Sequence, residues 1–227
     1  MTEQQVLDHG LVRLVDSMGG DLAVVRAARV SYAADWRAGE SEGSDARLIR
    51  YLMRNRHTSP FEAVQVTFEV KAPIFIARQW MRHRTASYNE VSARYTALPE
   101  EFYIPDEDVI GLQSKDNKQA REIVANGAAE TFRQVLRDHC ERSFDLYRVA
   151  LDQGIPRELA RSLLPLNTYT HFFVSLNLHN LFHFLRLRLH EHAQYEIREY
   201  AKAMLEMVRA IAPVSVGAFC EYEMAGV

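Results

Sequence analysis

The sequence predicts an α+β fold, a small twisted antiparallel sheet with long helices that dominate by length. Three observations carry the prediction. The runs at 64–70 and 168–176 are rich in β-branched and aromatic residues, which suit a pleated, half-buried surface. The stretches at 119–153 and 194–211 instead repeat apolar residues at helical spacing. No internal repeat interrupts the 227 residues, so the expected organisation is a single domain over 1–227.

From the N-terminus, Leu11 to Asp16 alternates apolar and polar residues and reads as a short strand, broken by Gly19-Gly20-Asp21. Leu22 to Tyr32 has helical spacing with Asp21 as its N-cap. The Gly-, Ser- and Glu-rich stretch from Arg37 to Ser44 reads as a loop, followed by a helix from Ala46 to Asn55. Val64 to Val70 is a strand. Pro73 suits the first turn of a helix running to about Met81, where its missing N–H is no loss. Arg84 to Pro99 has neither period and reads as an ordered loop, and Glu100 to Lys118 is polar and irregular. A long helix is expected from Gln119 to Gln153, ended by Gly154, and a short one between Pro156 and Pro165. Thr168 to Leu176 is a strand; Asn177 to His190 and Gln194 to Ile211 are helices, the first capped by Asn177.

Composition narrows the function. Hydrophobic residues make up 48%, normal for a protein with a real core. Lys plus Arg is 27 against 30 for Asp plus Glu, a net charge of −3. That balance argues against a general nucleic-acid binder but leaves room for a local anion pocket. Cys140 and Cys220 belong to no Cys-x-x-Cys pair, so a zinc ribbon or thioredoxin-type centre is not supported and both read as buried thiols. The polar start from Met1 to His9 carries no apolar signal region. No apolar run reaches the roughly 18 residues of a membrane helix. A soluble cytoplasmic protein is expected.

The most informative stretch is 82–95, Arg-His-Arg-Thr-Ala-Ser-Tyr-Asn-Glu-Val-Ser-Ala-Arg-Tyr. Arginine presents a planar fork of donors that matches phosphate bidentately. Arginine clusters are as often solvated faces paired with nearby acids. Here Glu90 is the one acid between Lys71 and Pro99, and the cluster follows the apolar run Ala72 to Ala77. Unpaired positive charge beside apolar sequence favours a site for a phosphorylated molecule. Glu90 would then accept from a sugar hydroxyl or orient an arginine.

Further along, His179 and His183 are four apart and share a helical face. That is also metal-ligand spacing, though no carboxylate lies between them as in His-Glu-x-x-His. Arg186 and Arg188 point about 200° apart on a helix and cannot serve one pocket. Arg188 shares a face with Leu181, Phe184 and His192, where a charge is costly unless a partner awaits it.

Arg82-His83-Arg84 followed after seven residues by Ser92, with Ser87, Asn89, Glu90 and Arg94 between and beyond, resembles the signature of the flavin-dependent thymidylate synthases. The resemblance extends to Ala27-Ala28-Arg29-Val30-Ser31, to His57-Thr58-Ser59-Pro60-Phe61-Glu62, and to Arg188 followed by His192-Ala193-Gln194, covering about Gly10 to Tyr200. It implies that family's fold and the reductive methylation of dUMP to dTMP. FAD would be the cofactor, and methylenetetrahydrofolate and NADPH the co-substrates. A homotetramer with flavin between subunits is implied too.

By the same resemblance, Gln79, Arg82, Glu90, Ser92, Arg94, Arg161 and Arg188 would meet the nucleotide. Arg188 would lie against the uracil ring as the catalytic group. His57, Ser59, Arg82, His83, Arg84, Glu90, Asn177, His179 and His183 would serve the flavin. At His179 and His183 some relatives carry arginine and asparagine instead. Two other readings stand beside this one: a metal-dependent nucleotide hydrolase using His179 and His183, and an RNA-binding module built on the arginine cluster. The low basicity weighs against the second. Ser92 lacks an adjacent base that would make it a nucleophile.

Overall fold

The alternating runs near residues 65–73 and 169–177 form the middle of a sheet. The computed structural model describes residues 2–115, 121–122 and 127–224. In chain order the elements begin β1 (Glu3–Val6), β2 (Gly10–Met18), α1 (Asp21–Arg29), α2 (Glu42–Arg54), β3 (Gln65–Pro73), α3 (Ile74–Trp80) and β4 (Ser87–Glu90). They continue with β5 (Leu112–Gln113), β6 (Arg121–Glu122), α4 (Ala129–Asp152), α5 (Arg157–Ala160), β7 (Tyr169–Asn177), α6 (Leu178–Arg188), α7 (Tyr195–Arg209) and α8 (Pro213–Glu223). Among the described residues, five strands form one antiparallel sheet in the order β1-β2-β3-β7-β4, and β5 pairs with β6. This is the α+β fold expected.

Strand periodicity decides which side chains enter the core. Val66, Phe68 and Val70 of β3 and Phe172 and Val174 of β7 share one face and are at most 1% exposed. Helices α3, α6 and α7 cover that face with Trp80, Phe184 and Tyr200. Trp80 stacks on Phe184 at 4.9 Å and meets Tyr200 edge-on at 5.7 Å. Truncating such an aromatic to Ala costs roughly 3–5 kcal/mol. The opposite face carries Glu69, Lys71 and His171, with Glu69 held between the Arg13 guanidinium and His171 Nε2. At the turn into β2, a Cβ on Gly10 would overlap the Tyr200 hydroxyl and Val6 O. Glycine is needed there for close approach, because that hydroxyl donates to Lys71 O at 2.7 Å.

Several elements differ from the sequence reading. The polar segment Glu3–Val6 is an edge strand, and β2 runs on to Met18 past an irregularity between Leu14 and Asp16 that breaks the alternation. Asp21 is not the N-cap of α1. Gly20 holds that place, and the Asp21 carboxylate accepts from Val214 N, Ser215 N and Ser215 Oγ instead. Helix α2 starts at Glu42, inside the expected loop, because the Ser41 hydroxyl accepts from Ser44 N. Pro73 ends β3 and caps α3 rather than opening its first turn. The expected loop from Arg84 to Pro99 contains β4, which pairs with β7. The long helix begins at Ala129. Gln119, its expected start, lies outside the described residues, and Arg121–Glu122 are strand. Helix α6 stops at Arg188, short of His190, and α8 had no counterpart in the sequence reading.

Candidate active site

Helix α3 ends at Trp80, and the Arg-His-Arg step follows as a turn in which His83 N donates to Trp80 O at 3.0 Å. Tyr88 of β4 returns to this turn. Its hydroxyl donates to His83 O at 2.9 Å and lies 3.2 Å from Trp80 O. Burial pushes that hydroxyl's pKa up to about 12. The His83 ring then rests edge-on against Phe184, centroids 4.9 Å apart. Its Nε2 accepts from Arg188 Nε at 3.0 Å. An accepting Nε2 assigns the proton to Nδ1 in the neutral ring. Burial first, then the positive Arg188 and the neighbouring His183, hold His83 down to about 4. Arg188, the last residue of α6, is half-buried, and burial lowers its pKa too. The partner that an arginine on an apolar face requires is therefore His83.

Arg186 points elsewhere. It lies 3.9 Å from Glu223 and, with His179 and His183, edges a cavity of about 150 Å³ floored by Phe61, Phe182 and Phe219. The His183 ring sits 6.1 Å from that of His83. Burial, with Arg186 and His179 adding to it, lowers the His183 pKa. Asn177 Oδ1 accepts from Asn180 N at 2.8 Å, the cap read from sequence, which leaves its Nδ2 hydrogens available. Among the described residues no third His, Cys, Asp or Glu joins His179 and His183 into a metal-ligating group.

His57 follows an unusual helix end. Its N–H donates to Leu52 O and that of Arg56 to Met53 O, a Schellman pair. Arg56 holds the left-handed position, φ 55°, where glycine is usual. That turn leaves the site candidates His57 and Ser59 exposed.

On the other side, Glu90 ends β4, and its Oε1 accepts from Thr170 Oγ1 at 2.6 Å. Ser92 Oγ accepts from Arg94 N at 3.3 Å. Arg94 Nε lies 3.7 Å from Glu158 Oε2, and Arg161 Nε donates to Glu158 O at 3.3 Å, so α5 brings these two arginines together. Both Arg94 and Glu158 are more than half exposed, which makes the pair weak. Arg82 and Arg84 are exposed and, among the described residues, pair with no carboxylate. Gln79 Oε1 is buried without a hydrogen-bond partner. The contacts thus link His83, Arg188, His183 and His179 as one group and Arg94 and Arg161, through Glu158, as another. Sequence reasoning gave no role to Tyr88, Thr170 or Phe184. Tyr88 lies inside the 82–95 stretch and Phe184 on the helical face of Arg188, whereas Thr170 reaches Glu90 only through the fold.

An α+β fold with an unpaired arginine step in the turn before β4, and a guanidinium held by a neutral imidazole, suits an anionic ligand. A model of the thymidylate synthase complementing protein family matches residues 13–214. A flavin-dependent thymidylate synthase of Thermus thermophilus is 52% identical over 97% of this chain and 79% of its own length. One from Ehrlichia ruminantium is 50% identical over 97% of this chain and 73% of its length. The crystal structure of PolB, a UMP/dUMP methylase from Streptomyces cacaoi bound with 5-Br dUMP, is similar with a TM-score of 0.88. It is 39% identical and covers 97% of this chain and 98% of that one. The chain belongs to the flavin-dependent thymidylate synthase family.

Proposed function

We propose that this chain, acting as one domain, methylates dUMP reductively to dTMP with FAD as its cofactor. Methylenetetrahydrofolate gives the carbon at the methylene level. NADPH gives the electron pair that makes it a methyl group, the carbon's bonds to the folate nitrogens break so that tetrahydrofolate leaves, and the uracil C5 proton is released. A bound flavin would supply the hydride chemistry between NADPH and the one-carbon unit. Names of relatives and the 5-Br dUMP on PolB support the nucleotide and the flavin. The residues present fit both. Arg82 and Arg84 offer free forks for phosphate, Gln79 Oε1 awaits a donor, and His83 Nδ1–H and Asn177 Nδ2 remain to donate.

The observation that carries the reading is Arg188, half-buried and held through Nε, with its terminal nitrogens left for substrate. Fixed positive charge of this kind stabilises negative charge developing on the uracil ring. Arg82, Arg94, Arg161 and Ser92 hold the nucleotide, and Glu90 keeps Oε2 for a sugar hydroxyl because Thr170 occupies Oε1. His57, Ser59, His179 and His183 serve the flavin side with His83 and Arg84. The place of work is the cytoplasm. Among the described residues no helix is long and apolar enough to cross a membrane.

The test is anaerobic spectroscopy with product analysis. Flavin absorbance that bleaches on adding NADPH, followed by dTMP formation, is expected. Arg188→Ala should lower turnover about 10²- to 10³-fold with flavin still bound. A protein that takes up no FAD would sink the reading, and near-normal turnover by the variant would remove Arg188 from the mechanism.

A further inference from the structure

A guanidinium is coplanar with its Cδ–Nε bond, so with Cδ anchored to the chain, fixing the direction of its Nε–H fixes the plane in which the two terminal nitrogens lie. In this fold that direction is fixed. Arg188 Nε donates to His83 Nε2 at 3.0 Å, although the two residues are 105 apart in sequence. The acceptor is itself immobilised from three sides. Tyr88 ties the His83 carbonyl at 2.9 Å, Phe184 supports the ring at 4.9 Å, and Arg188 takes Nε2. Phe184 and Arg188 lie four residues apart on α6, so one helical face carries both the ring's support and its hydrogen-bond donor. Burial and the neighbouring Arg188 and His183 keep the imidazole neutral, which preserves the lone pair that accepts.

We propose that His83 is a positioning residue, which by accepting the Arg188 Nε–H presets the plane of the guanidinium before substrate arrives. Arginine otherwise carries large rotamer entropy, and a free guanidinium would have to be ordered at the moment of binding. With its plane preset, the terminal nitrogens meet the charge that develops on the substrate without reorganisation. The group Arg188 meets rests on the function proposed above; the tie between the two side chains does not.

Two variants and one background separate this role from a merely structural one. His83→Leu keeps bulk and removes the acceptor, whereas His83→Gln places an amide oxygen where it can accept. In the ligand-free protein, the 15N–1H resonance of Arg188 Nε should be protected from solvent exchange in the parent and in His83→Gln, and broadened in His83→Leu. At saturating FAD, with occupancy checked by absorbance, His83→Leu should lower kcat about tenfold with a smaller change in KM for dUMP. His83→Gln, which restores the acceptor though not the Nδ1–H, should recover part of the kcat lost in His83→Leu. In an Arg188→Lys background, which has no Nε–H of this kind, His83→Leu should lower kcat by a clearly smaller factor than it does in the parent. An equal loss in both backgrounds would overturn the proposal, since a structural or cofactor contact acts independently of Arg188. An unchanged Nε resonance in His83→Leu would overturn it as well. A parent that makes no dTMP yet shows the protected resonance, lost in His83→Leu, would overturn the functional reading and support the tie.

Discussion

A neutral imidazole inside a fold has a thermodynamic signature. His83 is lowered from 6.5 to about 4, by burial first and then by Arg188 and His183, and His183 is lowered as well. In the unfolded chain both rings take a proton as pH falls through about 6.5. The folded His83 resists until about 4, so across that window the unfolded state binds more protons and stability rises with pH. The contribution is whole above about 6.5 and is lost as the medium is acidified towards 4. Urea midpoints measured from pH 7 to 4.5 should therefore fall less steeply for His83→Gln than for the parent. Equal slopes would count against a neutral His83. The sequence could say that Arg188 needs a partner, because an apolar helical face is visible in it. It could not say that the partner is His83, because the contact spans 105 residues.

At the scale of elements, legibility followed periodicity. Strands β3 and β7 alternate along most of their length and helix α7 keeps one apolar face, so each was found within a few residues. Strand β4 was not, because Ser-Tyr-Asn-Glu is too short and polar to show a period and becomes a strand only by pairing with β7. Helix α8 was hidden for another reason. Val214-Ser215-Val216 alternates like a strand, and Ser215, Val216, Ala218 and Phe219 are all buried, so no amphipathic stripe appears. Its N-terminus is finished from outside by Asp21, which takes the N–H groups of Val214 and Ser215. Asp21→Ala should cost about 1–2 kcal/mol in chemical unfolding, the worth of an N-cap. A change under a few tenths would mean that α8 holds its place by packing alone.

For the whole molecule, the arrangement of the candidate residues speaks about assembly. Of the candidate nucleotide residues, Arg94 and Arg161 are exposed on one patch, whereas Arg188, tied to His83, lies beside His183, which with His179 edges a cavity. The resemblance read from sequence implied sites shared between subunits, and a set divided in this way suits that. Tyr32, Trp36, Tyr95 and Leu166 are between 69% and 86% exposed, large side chains that contact with other copies would cover. Light scattering is expected to give a mass about four times the 26.1 kDa chain. A flavin-loaded monomer that turns over would contradict shared sites. A candidate anion site was legible in a short run of unpaired arginines, while the other candidate residues came with the family resemblance. Which of them meet was not legible, since Arg94 and Arg161 come together through Glu158 of α5.

Strand β4 also bears on how the protein is made. Its pairing runs from Ser87 opposite Ser175 to Glu90 opposite Phe172, and among the described residues β7 is its one neighbour in the sheet. The hairpin of β1 and β2 closes locally, whereas β4 must wait for a strand synthesised much later, and such distant pairings form slowly. In pulsed hydrogen exchange during refolding, amides of 87–90 should gain protection with those of β7 and after those of the hairpin. Protection of β4 ahead of β7 would refute that order. A nascent chain then carries β4, the strand that follows its arginine motif, unpaired on the ribosome until residues 169–177 have emerged, so the candidate site proposed above is completed late in translation.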